Sequence, residues 1–288
     1  MNGLIRLVRL PALPSALADV CLGALASGAL PGNGIWFAVL LAGSACLYLG
    51  GMALNDWFDQ EDDRKHRPER PIPSGEIASG RAALVGFGLL GIGTVLAALV
   101  SPVWACVLAG LILLYDGYAK STPLGPLAMG ACRAAHVMLA LSLGGDPWRQ
   151  PGPHLALATG LYIVGVTWFA RREEKQGSRG ELQGAALVVL AALVLALAAP
   201  VHRPENTASP LFPYLLVALG FFVGLPMKKA MDDPRPSNVQ AAVKRLLMGL
   251  IGLDAVLAMA TAGIAGAAIL LLMLPSLALG RLRRLSAT

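Results

Sequence analysis

Uncharged apolar runs of about 20 residues return from one end of this chain to the other, and that recurrence constrains the fold more than any motif. A helical run of that length crosses a hydrocarbon core of roughly 30 Å. The segments fall at about 12–30, 35–57, 82–100, 102–118, 125–143, 154–171, 182–200, 211–229, 238–261 and 263–280. Residues 246–280 are too long for one crossing and "ATAGIAGAA" is a weak break, so the reading is nine or ten spans, with ten preferred. Only 14% of the residues are charged, against about 25% in soluble domains. The expected fold is an all-α, polytopic transmembrane helical bundle.

Charge placement supports ten spans. With the N-terminus inside, the inner segments collect nearly all of the 23 Lys and Arg residues: only Arg149 and Arg203 fall outside, and Arg133 lies within a span. Ten crossings also bring Arg281, Arg283 and Arg284 inside, in keeping with the positive-inside rule. The net charge of +6 therefore reflects topology, and no nucleic-acid partner is expected. Cys21, Cys46, Cys106 and Cys132 all sit in apolar segments without a CxxC pair, which indicates neither disulfides nor zinc. The outer connections, such as "LPGNG" and "GGDPWRQPGPH", are turn-like. The inner connections are longer and charged, so chemistry belongs on the cytoplasmic face of a multi-pass protein, read here as bacterial. No linker interrupts residues 1–288, which read as a single domain.

The second apolar segment runs straight into "NDWFDQEDDRKHRPERPIPSG", residues 55–75. Asp56, Asp59 and Asp63 recur at i, i+3 and i+7, which puts them on one face of a helix. Carboxylates within roughly 10 Å of helix length repel each other unless cations bridge them. Mg²⁺ prefers a few carboxylates together with phosphate oxygens, so the spacing suits a Mg²⁺–diphosphate site at the membrane surface. Arg64, Arg67 and Arg70 follow closely enough to hold phosphate oxygens directly.

This motif resembles the first aspartate-rich motif of the UbiA superfamily of intramembrane prenyltransferases. The inner stretch "YDGYAKSTPLGP" resembles that family's Tyr…Lys segment, with Tyr115 and Lys120 in the matching places. "GPLAMGACRAAH" followed by "ARREE" is most similar to the EboC-like branch. The resemblance implies a bundle around a central cavity open to lipid. It implies a prenyltransferase that moves an isoprenyl group from an allylic isoprenyl diphosphate donor to an unidentified small-molecule or lipid acceptor, with Mg²⁺ as cofactor. It further implies that Asn55, Asp56, Asp59 and Asp63 hold metal and diphosphate, and that Tyr115 and Lys120 contact the donor's head.

Many members of that superfamily carry a second D-x-x-x-D motif after the sixth span. This chain has "TWFARREEKQGSRGE" there instead. Either Glu173 ligates a second Mg²⁺, or Arg171 and Arg172 replace that ion as phosphate ligands.

Arg133 lies about eight residues into its span, where a charge costs at least ~2.5 kcal/mol unless it faces a polar interior. Met129, Arg133 and His136 share a face, which reads as cavity wall. Arg133 is then either a diphosphate or acceptor contact, or a structural partner of Asp19 or Asp254. Trp57, Trp168 and Tyr162 are either interface anchors, the default reading, or face the carbocation. The rival to an enzyme is a transporter or a non-catalytic lipid-binding homologue, whose acidic site belongs at mid-membrane rather than at the surface.

Overall fold

The computed structural model describes residues 3–171, 178–199 and 208–278, and these contain only helices, turns and irregular links. A short α1 (Gly3–Leu7) leads to α2 (Leu13–Ala26), α3 (Gly34–Phe58) and the small α4 (Gln60–His66). Then come α5 (Ser79–Ala98), α6 (Pro102–Gly117), α7 (Gly125–Leu141) and α8 (Gly152–Ala170). The chain continues through α9 (Arg179–Leu197), α10 (Phe212–Asp232) and α11 (Pro236–Ala262) into a 3₁₀ stretch, Gly263–Leu272. Helices suit this sequence because each satisfies its own backbone amides where lipid offers no partner. The Pro-containing turns mark starts: α2, α6, α7, α8, α10 and α11 each carry proline in the first two positions, where its missing N–H is one the helix never uses.

Among the described residues, nine of the ten apolar segments fall on α-helices, and the tenth begins on the 3₁₀ stretch. Among the described residues, seven helices are long and apolar enough to cross a membrane, the last running from Pro236 to Ala278. Helices α2 and α6 are shorter, at about 21 and 24 Å by their residue counts. Gly263, at φ 74°, ends α11. Beyond it the chain folds back, so that a Cβ on Gly266 would strike Ala258 and Met259. The Ser276 hydroxyl then donates to the Pro11 carbonyl at 3.0 Å, beside the start of α2. A reporter fused after Thr288 is therefore expected to be active on the same side as one fused ahead of Met1. Activity on opposite sides would mean an odd number of crossings.

Two apolar clusters share α2 and α7. One joins them to α3, α5 and α6 through Leu40, Leu47, Leu54, Leu90 and Leu108. The other joins them to α8, α9, α10 and α11 through Leu155, Leu182, Leu219, Leu246 and Leu250. Helices α3 and α5 meet almost backbone to backbone: a Cβ on Gly50 would lie 2.7 Å from the Leu90 nitrogen, and one on Gly93 2.6 Å from the Leu47 nitrogen. Such close approach is how helices gain packing where lipid removes the hydrophobic drive. Tyr162 corrects the anchoring expectation. It is fully buried, and its hydroxyl donates to the Leu246 carbonyl at 2.8 Å, tying α8 to α11. Burying an aromatic hydroxyl this deep requires such an acceptor.

Candidate active site

A cavity of about 100 Å³ opens between α2, α3, α6 and α7. Helix α3 lines it with Ser44, Leu47, Tyr48, Gly51 and Met52, spaced at three and four residues so that one face serves the whole depth. Helix α6 contributes Leu108, Ile112, Tyr115 and Asp116. Helix α7 contributes Met129, Cys132, Arg133 and His136, which makes the face read from the sequence a cavity wall. The middle is apolar and both ends are polar.

The acid motif closes the C-terminal end of α3, but it does not ride one unbroken helix as its spacing predicts. Helix α3 stops at Phe58 and α4 starts at Gln60, leaving Asp59 as a one-residue joint. The joint divides the aspartates between two sets of cations. Asp56 accepts from Arg9 Nη2 at 2.7 Å and from Arg70 Nη1 at 3.2 Å. The same Arg70 nitrogen reaches Asp63 at 2.7 Å, so the Asp56 and Asp63 carboxylates converge on one guanidinium. Asp59 turns the other way and pairs with Lys120 Nζ at 2.7 Å. Lys120 also donates to the Asn55 carbonyl and sits 5.9 Å from the centre of the Phe58 ring.

Asp56 and Asp63 are both buried. Burial pushes the Asp63 carboxyl up, Arg70 pulls against it, and the neighbouring Asp59 and Asp56 charges push the same way as burial. A cation between these carboxylates relieves that strain. Among the described residues no three His, Cys, Asp or Glu side chains gather closely enough to hold a metal ion by themselves. A convergent carboxylate pair fits the way Mg²⁺ is bound, through one or two carboxylates plus phosphate oxygens.

The other predicted residues divide by placement. Arg67 lies 3.7 Å from Asp63, at the edge of the cluster. Arg64 is exposed on α4 and stays outside it. Tyr115 lines the cavity beside the acid end. Arg171 donates to the backbone carbonyls of Thr122 and Lys120, and so braces the segment carrying Lys120. Arg172 and Glu173 lie outside the described residues.

Toward the far end of the cavity, Arg133 Nη1 pairs with Asp19 at 2.5 Å while Nη2 donates to Ser15 Oγ at 2.9 Å. His136 Nδ1 lies 2.8 Å from the same Asp19 oxygen, and its Nε2 bonds the Ser44 hydroxyl. Of the two partners weighed for Arg133, Asp19 is thus the one it meets. Asp254 is fully buried next to Asp19.

Two residues of the acid end escaped the sequence reading. Arg9 counted only toward charge topology, yet it grips Asp56 from a left-handed backbone conformation, φ 48°, the only positive φ outside glycine among the described residues. Backbone strain of that kind concentrates at functional sites. Asp116 sits in "YDGYAK", where the sequence reading singled out only Tyr115 and Lys120. It is buried, lines the cavity and accepts from Asn55 Nδ2 at 2.9 Å. Its one sequence signal is an acid at the end of an uncharged run.

An apolar intramembrane cavity with carboxylates and fixed cations at its mouth defines a site for amphiphiles with an anionic head. Comparison with known proteins narrows this class. The family model of the UbiA prenyltransferase family matches residues 14–247. The chain belongs to that family, and it is a multi-pass membrane prenyltransferase. It is 30% identical over 235 residues to the digeranylgeranylglyceryl phosphate synthase of Halobacterium salinarum, covering 77% of this chain and 81% of that protein. To the synthase of the same name from Ignicoccus hospitalis it is 35% identical over 137 residues, 46% of this chain and 45% of that one. The match thus spans under half the length of the Ignicoccus protein. In three dimensions it superposes on a solved digeranylgeranylglyceryl phosphate synthase with a TM-score of 0.67 at 18% identity, covering 91% of this chain and 98% of the other. A UbiA homologue of Archaeoglobus fulgidus, solved with GPP and Mg²⁺, gives a TM-score of 0.60 at 13% identity and coverages of 88% and 99%. These structural likenesses concern the fold.

Proposed function

We propose that this protein moves an isoprenyl group from an allylic isoprenyl diphosphate to the hydroxyl of a lipid acceptor at the cytoplasmic membrane face, releasing diphosphate. The observation that carries this reading is the gathering of Asp56, Asp59 and Asp63 with Arg9, Arg70 and Lys120 at one end of an apolar cavity. The site's polarity matches a substrate with a diphosphate head and a hydrocarbon tail. In this reading Asp56, Asp59 and Asp63 hold Mg²⁺ and the diphosphate, with Asn55 beside them. Arg70, Arg67 and Lys120 answer the phosphate charge. Bound Mg²⁺ would supply Lewis-acid stabilisation of the departing diphosphate. Arg70 and Lys120 add fixed positive charge where negative charge grows. The Leu47, Leu108 and Ile112 walls exclude water that would otherwise intercept the allylic centre. Tyr115 faces that centre.

The relatives' name supports a glyceryl lipid as acceptor. The EboC-like reading rests on "GPLAMGACRAAH" and "ARREE", and it leaves the donor and the metal site unchanged.

The test is purified protein in detergent with geranyl, farnesyl and geranylgeranyl diphosphate, with and without geranylgeranylglyceryl phosphate. Mg²⁺-dependent diphosphate release and a prenylated lipid are expected, and both should vanish with EDTA. Failure to consume any donor would sink the reading.

The loop after α8 permits a narrower test. If Glu173 ligates a second Mg²⁺, Glu173→Gln raises the Mg²⁺ concentration needed for half-maximal rate, since an amide oxygen is a weaker ligand for a hard cation. That is the expected result. An unchanged Mg²⁺ requirement, with a raised donor KM in Arg172→Ala, would give the phosphate contact to Arg172.

A further inference from the structure

Transfer to a hydroxyl requires a proton acceptor, and none of the residues assigned above fills that role. Asp56, Asp59 and Asp63 are committed to cations. His136 and Ser44 bond to each other at the far end of the cavity, and Ser44 lies twelve residues, about 18 Å of helix, from Asp56. They are too deep to meet a carbon that has just left diphosphate.

Asp116 is the remaining cavity acid. It is buried at the C-terminal end of α6, and it lines the cavity at the donor-head end next to Tyr115. Asn55 Nδ2 holds one carboxyl oxygen at 2.9 Å, while the other takes no hydrogen bond from the described residues. Asn55 in turn adjoins Asp56 in sequence and is fixed through its carbonyl by Lys120. A carboxylate with one oxygen oriented and one free is the arrangement a general base requires. The charged and titratable neighbours that act on it are Lys120, Asp59, Arg9, Tyr115 and Cys132.

The geometry points to Asp116 as the catalytic base of transfer: its free oxygen takes the proton of the acceptor hydroxyl. The C1–O bond of the allylic diphosphate breaks and its electron pair leaves with diphosphate. The acceptor oxygen forms the new C1–O bond, and its proton passes to the Asp116 carboxylate. This inference rests on the prenyl-transfer reading above. It makes Asn55 the residue that orients the base.

The experiment measures two quantities on one preparation: the rate at which label passes from geranylgeranyl diphosphate to geranylgeranylglyceryl phosphate, and the Mg²⁺-dependent Kd for geranylgeranyl diphosphate without acceptor. Loss of a general base lowers the transfer rate by about 10²–10⁴-fold. Asp116→Asn is expected to show that loss with the donor Kd and its Mg²⁺ dependence unchanged. Asp116→Glu should recover part of the transfer. A weakened donor Kd beside slowed transfer would make Asp116 a metal or donor ligand, and undiminished transfer would make it structural; either overturns the assignment. Should Asp116→Asn not purify as a monodisperse species, the same two measurements on Asp116→Glu decide. Slowed transfer at an unchanged Kd supports the base, and any other pairing overturns it. Wild-type protein that consumes the donor yet prenylates no hydroxyl overturns the base alone. Wild-type protein that consumes no donor with any acceptor present overturns the prenyl-transfer reading itself.

Discussion

Asp56→Ala is expected to abolish prenyl transfer while leaving an inserted, folded protein. Asp56 receives two guanidinium groups, from Arg9 and Arg70, and shares the second with Asp63. Its removal leaves those cations facing each other and takes away one of the two convergent carboxylates. Loss of a single preorganised electrostatic contact to the reacting group typically costs 10²–10³-fold in rate, so a fall of at least ~100-fold is expected. Asp59→Ala should fall comparably by another route, because it frees Lys120 from its 2.7 Å partner. The measurement is turnover with a donor diphosphate, beside a size-exclusion profile in detergent. Wild-type turnover in either variant would remove the aspartates from the reaction.

Asp19→Leu is expected to destabilise the fold by about 3–5 kcal/mol, the usual effect of stripping one partner from a buried ion pair. Arg133 would keep its charge inside the bundle with only the Ser15 contacts, and His136 would lose its Nδ1 partner. A double variant, Asp19→Leu with Arg133→Leu, should recover most of that loss, since exchanging a buried pair for apolar side chains is often neutral. Thermal unfolding in detergent, read as a double-mutant cycle, separates the cases. Simple additivity of the two single losses would show that the pair is not coupled.

Much of this architecture was legible in the sequence because lipid leaves few choices. An uncharged run of sufficient length becomes a helix, and the Pro-bearing turns begin the next one. The acid motif was legible because its spacing survives on α3 and α4, even though the joint at Asp59 redirects one carboxylate. Asp116 and Arg9 were not legible, for a shared reason. Each matters through a neighbour on another element, Asn55 in one case and Asp56 in the other, and nothing local to "YDGYAK" or to the first nine residues records that proximity. Arg171 was weighed as one alternative phosphate ligand from its charge and loop. Its hydrogen bonds to backbone carbonyls at Thr122 and Lys120 brace that segment, a role that carries no sequence pattern.

The Asp19–Arg133 pair also bears on biogenesis, for its members lie 114 residues apart. At a synthesis rate of ~5–20 residues per second, the acid leaves the ribosome roughly ten seconds before its cation. Helix α2, short for a span, either enters the bilayer with an unpaired acid at a cost of ~2.5–3.5 kcal/mol or stays at the membrane edge until α7 arrives. On either route the first long helix to be made is among the last to be secured, because its acid has no cation until α7 has been synthesised.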